Sequence, residues 1–104
     1  MGHHLPPDQK ELYRRVDEVL HYVWDPIGVA GIPQGRDEYY TYVPRVFSLV
    51  QSRAPLSEIV DFLVTTQTET MGLGEPSGVR THAEEVAALL EEWRDWIQQR
   101  RPIV

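Results

Sequence analysis

Apolar residues recur every three or four positions in four separate stretches of this chain, and a proline or glycine follows each one. That spacing matches the 3.6-residue period of an α-helix and lines up the apolar side chains of each stretch on one face. An all-α fold is therefore expected, a small single-domain bundle of about four helices. Leu12, Val16, Leu20 and Val23 mark the first helix, from about 8 to 23. It should stop where Asp25 precedes Pro26, because proline pushes the preceding residue out of the α region. Val43, Val46, Phe47 and Val50 mark a second helix, from about 37 to 52, with Asp37 as N-cap and Glu38 near the positive helix end. Pro44 opposes that start, since an interior proline costs about 3 kcal/mol. The helix either kinks there or begins near Tyr42.

The third stretch opens at Pro55 and carries Leu56, Ile59, Phe62 and Leu63, predicting a helix from about 55 to 71. Its second half holds Thr65, Thr66, Thr68 and Thr70, poor helix formers that would also suit a strand. Met71-Gly72-Leu73 has the pattern of a glycine C-cap followed by an apolar residue. Thr81 with Glu84 reads as a capping box, so the fourth helix is predicted from about 82 to 100, closed by Pro102. Val86, Leu90, Trp93 and Ile97 form its inward stripe, Leu89 and Trp96 widen it, and Arg94, Arg100 and Arg101 suit its negative end. Residues 1–7 are expected as a flexible start, 8–101 as one helical domain and 102–104 as a tail.

A chain of 104 residues supports one core, and 41% hydrophobic with 25% charged residues is ordinary globular composition. The formal net charge of -6 opposes a phosphate backbone, so nucleic acid is not an expected partner. No apolar run is long enough to span a bilayer, and the first residues show no secretory signal, so the cytoplasm is the expected location and the membrane is not a partner. Cysteine is absent, which removes disulfides, thiolate nucleophiles and thiolate metal ligands together. His3 and His4 read equally as native residues or as a tag remnant.

The loop "WDPIGVAGIPQG" is rich in turn residues yet too apolar for a floppy linker, so Trp24, Ile27, Val29 and Ile32 are expected to pack on the core. Behind it, Tyr39, Tyr40 and Tyr42 crowd the start of the second helix and cannot all share its buried stripe. Either a tyrosine hydroxyl ties down the glycine loop, or the cluster presents a binding surface. Asp25, Asp37, Glu38, Asp61 and Glu69 sit near turns or helix ends, where cap and turn roles suffice to explain them. No spacing among them selects an acid and base pair. His21 and His82 stand apart from any metal-binding pattern; His82 and Glu85, one helical turn apart, offer two ligands at most, and a solvated helix start is the simpler reading. Nucleophile-elbow, phosphate-loop and dinucleotide motifs are missing, so no catalytic residue, metal or cofactor is implied and the chain leans away from catalysis.

The segments "WDPIGV", "YVPRVFSLV" and "ETMGL", in that order and spacing across positions 12 to 73, resemble the YugE-like family of small bacterial proteins of unknown function. The resemblance implies a compact helical fold and carries no established activity to any residue here. "GVAGIPQG" and "GLGEPSGVR" depart from the family pattern. The functional expectation is a non-enzymatic, acidic protein-interaction module, of immunity, antitoxin-like or regulatory type, that meets a basic protein partner. Its candidate binding residues are Trp24, Asp25, Tyr39, Tyr40, Tyr42, Glu69 and Trp96. The competing reading is a small-ligand or minor hydrolytic site between the Trp24 loop and the Tyr39 to Tyr42 cluster, with Asp25 or Glu69 as acid or base. A homodimer through Trp96 is the third.

Overall fold

The computed structural model describes residues 5–99. His3, His4, Arg100, Arg101 and the closing Pro102 lie outside them. Of the expected flexible start, Leu5 packs against the core and Pro7 opens the first helix.

The described residues form four α-helices and no strand: α1 over Pro7–Val19, α2 over Val43–Gln51, α3 over Leu56–Thr65 and α4 over Val79–Gln99. The bundle read from the periodicity is the fold. At 21 residues α4 is the longest, and it packs against the other three, while α2 also packs on α1 and α3. Val16, Leu20, Val46, Val50, Ile59, Leu63, Val86 and Leu90 are fully buried at the centre, each from a predicted apolar stripe or next to one.

α1 and α3 each run on into one π-helical turn, Leu20–Trp24 and Thr66–Thr70. In both, the closing bond reaches back five residues: Asp25 N–H to the Leu20 carbonyl at 3.0 Å, and Met71 N–H to the Thr66 carbonyl at 2.8 Å. A wider turn advances each residue by less than the α-helical step of about 100°. The apolar stripe of α1 is rephased as a result, so that Trp24 is buried at 2% exposure while Val23, expected inside, stands out at 42%. In α3 the threonine-rich end stays helical, because Thr68 Oγ1 donates to the Val64 carbonyl at 2.9 Å and Thr66 is buried. Gly72 then adopts φ +69° and Leu73 N–H bonds the Gln67 carbonyl at 3.1 Å, the expected glycine cap one residue wider.

α2 starts where the second alternative for Pro44 placed it, near Tyr42, and α4 starts earlier than expected. α2 begins at Val43, so Pro44 falls in its first turn, where a missing N–H costs nothing. Asp37 is not its N-cap; residues 33 to 42 descend to the helix through two 3₁₀ turns, Pro33–Gly35 and Tyr40–Tyr42. α4 begins at Val79, ahead of the capping box, because burying Val79 rewards the extra turn. Thr81 and Glu84 are exposed inside that helix. Pro55 caps α3 from just outside it. Arg94, assigned by sequence to its own helix end, is buried instead, donating Nη1–H to the Val50 carbonyl at 3.1 Å and Nε–H to Asp95 at 2.9 Å. It thereby adds a side-chain donor to a carbonyl near the end of α2 that also accepts the Arg53 N–H at 3.2 Å.

The rephasing is tested by a pair of truncations followed by urea unfolding. Trp24→Ala is expected to cost about 3–5 kcal/mol, and Val23→Ala less than about 0.5 kcal/mol.

Candidate functional site

Asp25 ends the π-turn of α1 in the left-handed region, at φ 35° and ψ 61°. Aspartate tolerates that conformation better than most residues, because its short side chain bonds the local backbone. Here Asp25 Oδ1 accepts N–H bonds from Gly28 at 3.0 Å and Val29 at 2.7 Å, Oδ2 accepts from Ala30 at 3.0 Å, and Oδ1 also accepts the Tyr39 hydroxyl at 2.8 Å. The same hydroxyl accepts the Ile27 N–H at 3.0 Å. One carboxylate and one phenol therefore fold residues 25 to 30 into a fixed corner. Gly35 seals it, since a Cβ there would lie 2.8 Å from Val29 Cβ.

Aromatic rings back the corner: Trp24 lies 5.4 Å from Tyr39 and meets Tyr42 edge-on at 6.2 Å. Trp24 and Tyr39 are each 2% exposed. Burial pushes the Tyr39 phenol well above its ordinary value, and the neighbouring Asp25 charge pushes the same way, so it stays protonated and donates. For Asp25, burial favours the neutral acid, but the bonds from Tyr39, Val29, Ala30 and Gly28 together outweigh it and hold the carboxyl below the usual range. A carboxylate bonded in this way is a poor proton acceptor. The expectation that a tyrosine hydroxyl ties down the glycine loop is met by Tyr39.

Of the candidate residues, Trp24, Asp25, Tyr39 and Tyr42 come together and the others do not. Tyr40 is exposed and lines a separate cleft with Tyr13, Asp17 and Val43. Glu69 is exposed on the π-turn of α3. Trp96, 55% exposed, borders a groove of about 330 Å³ on α4 with Leu89, Glu92 and Trp93. Arg15 of α1 stacks over Trp93 at 4.5 Å, fixing the floor of that groove. The loop also packs less fully than expected: Val29 joins the core, whereas Ile27 and Ile32 are 46% and 47% exposed. The bonds to Asp25 order the chain there without their burial.

Sequence spacing missed two histidine roles. His82 is no solvated helix start: its Nε2 lies 2.9 Å from the Val23 carbonyl and 3.2 Å from that of Trp24. Both are acceptors, so Nε2 carries the proton and clips α4 to the end of the π-turn. His21 is 2% exposed, covered by the loop rather than by a helix, which no helical period reveals. Among the described residues no group of three His, Asp or Glu side chains is placed to hold a metal. No helix among them is long and apolar enough to cross a membrane.

The fold and its corner define a small four-helix bundle with a carboxylate-pinned elbow. No family model, curated protein or solved structure matches the chain.

The elbow's energetics are separable by mutation. Asp25→Asn keeps the tolerance for the left-handed backbone but loses the charge, and should cost about 2 kcal/mol; Tyr39→Phe should cost about 1–2 kcal/mol. Because the two share a bond, the double variant should cost less than the sum in urea unfolding. The depressed carboxyl also gives a pH signature. Its contribution is complete above the ordinary carboxylate range and is lost as pH falls through the lower folded value. The stability gap between the native chain and Asp25→Asn should therefore close in acid below about pH 3.9.

Proposed function

We propose that this chain is a non-enzymatic interaction module that docks a basic protein segment on the face of α4 around Trp96. The observation that carries the reading is the half-exposed Trp96 beside Trp93 and Leu89 in one groove, with Glu92 on its wall. Tryptophan left in water at a groove edge is the residue type that most often anchors an interface. Glu84 and Glu85 are also exposed on α4, and the chain as a whole carries a net charge of -6. An apolar anchor within an acidic field selects a partner with an apolar side chain flanked by lysine or arginine.

Immunity, antitoxin-like and regulatory proteins of this size work by occupying such a partner, and the resemblance to the YugE-like family belongs to the same reading without adding a residue role. The cytoplasm is the compartment the proposal supposes. In the competing hydrolytic reading Asp25 is already engaged by four donors, which leaves Glu69 as the candidate acid or base and makes the docking reading the better supported. Pairing of two copies through the same groove would oppose like charges, Glu92 included.

The test is capture from lysate on immobilised protein, with elution by salt, comparing the native chain with Trp96→Ala and Glu92→Lys. A basic partner should be retained by the native chain and weakened about 30-fold or more by Trp96→Ala. Glu92→Lys should weaken it further at low salt than at high salt. Equal retention by all three chains would sink the proposal. Light scattering should give a monomer mass; a dimer abolished by Trp96→Ala would replace the partner with a second copy.

A further inference from the structure

From Thr81 to Gln99 the outer surface of α4 carries glutamates and no exposed lysine or arginine. Glu84 and Glu85 recur seven residues on as Glu91 and Glu92, while Arg94 is buried and bonded to Asp95 and the Val50 carbonyl. At about 100° per residue, Glu85, Leu89, Glu92 and Trp96 fall within roughly 60° of one another on the helix. That face is turned away from the buried stripe of Val86, Leu90 and Ile97 by about a third of a turn.

The acids of this face are open to an outside cation. Among the described residues no cation pairs with Glu92. Glu85 lies 3.9 Å from His82 Nδ1, but the His82 proton is on Nε2, so a neutral ring gives Glu85 no donor. Arg15, stacked on Trp93 from α1, is already answered by Glu18 at 2.8 Å and Glu11 at 3.8 Å. It builds the wall of the groove without cancelling the glutamates of α4.

Spacing decides what form of chain fits there. Seven residues of helix rise about 10.5 Å, the interval at which Glu85 is followed by Glu92 and Leu89 by Trp96. A second helix alongside returns the same face at the same interval, every two turns. An extended segment returns a face about every 6.7 Å, at roughly 6.7 and 13.4 Å, and misses both repeats. Its backbone N–H and C=O groups would also find nothing to bond on α4, whose own are spent within the helix, whereas a helix satisfies its backbone internally.

We propose that the segment docked at Trp96 is an amphipathic α-helix lying along the outer face of α4. Its apolar stripe covers Leu89, Trp93 and Trp96, and two lysines or arginines seven residues apart are set against Glu85 and Glu92. This is helix-in-groove recognition, with the apolar repeat and the acid repeat of α4 each specifying the same partner geometry. The inference rests on the docking reading and adds to it the partner's conformation and charge spacing.

The experiment titrates the full chain with leucine and lysine peptides of about 14 residues, near four helical turns in length, and follows the Trp96 indole signal by NMR. The first peptide has its leucines at helical spacing, the second has the same composition in strict alternation, and the third is the first with proline at its centre. The first should saturate the signal with a Kd on the order of 10–100 μM and gain helical ellipticity as it binds. The other two should bind about tenfold more weakly or worse. Glu85→Lys and Glu92→Lys should each weaken the first peptide about fivefold. Glu58→Lys makes the same charge change at an exposed site in the first turn of α3 and should leave binding within about twofold. The proposal is overturned if the alternating or proline peptide binds as tightly as the first, or if Glu58→Lys weakens binding as much as Glu85→Lys. Where helical and alternating peptides bind equally and both lose affinity in Trp96→Ala, the groove still docks basic segments and the helical form alone fails. Where no peptide moves the Trp96 signal, the docking reading fails with it.

Discussion

The carboxylate of Asp25 is the point on which this structure turns. A helix leaves its last carbonyls unpaired, and a following loop leaves its first amides unpaired; both sets must be met when the chain reverses beside a core. Asp25 meets the amides of residues 28 to 30, and the Tyr39 hydroxyl meets that of Ile27 while donating to the same carboxylate. His82 answers from the other side, taking the carbonyls of Val23 and Trp24. Three side chains from distant parts of the sequence thus close one hydrogen-bond account. The apolar side chains of the loop are then free to face water or a cavity.

That freedom explains the division of the surface. Where the backbone is held by polar bonds, Ile27 and Ile32 remain half-exposed and a cavity survives over His21. Where helices pack directly, α2, α3 and the inward side of α4 leave little space, and the accessible apolar area moves to the outer edge at Trp96. Asp17 stands between two clefts: it anchors Arg36 beside His21 and borders the cleft at Tyr40.

The helices were legible because their apolar residues keep step with 3.6, and the stripe of α2 was read correctly while its start stayed open between Asp37 and Tyr42. Pro44 contained the right answer, since a proline that cannot sit inside a helix has to sit in its first turn. Trp24, Asp25, Tyr39 and Tyr42 were recognised as one neighbourhood because turn residues and aromatics crowd both ends of a short loop. What periodicity hides is a change of period. The π-turn at Leu20–Trp24 moves Val23 out and Trp24 in, and a helical wheel drawn with a constant step has no place for it. His21 escaped for a related reason, because its cover comes from the loop and from Arg36, 15 positions further along in sequence.

The two π-turns also bear on how the chain can vary in length. A π-turn holds one more residue than the helix before it requires, so deleting one residue there lets the backbone close as ordinary α-helix. In α3 such a deletion would cost little beyond the shape of the Gly72 cap. In α1 it would remove the wide turn whose closing bond, Asp25 N–H to the Leu20 carbonyl, sets Asp25 in the left-handed position from which it meets Tyr39 and the loop amides. The extra residue is a spare at one helix end and a keystone at the other, so length variants of this bundle should be tolerated at residues 66–70 and selected against at 20–24.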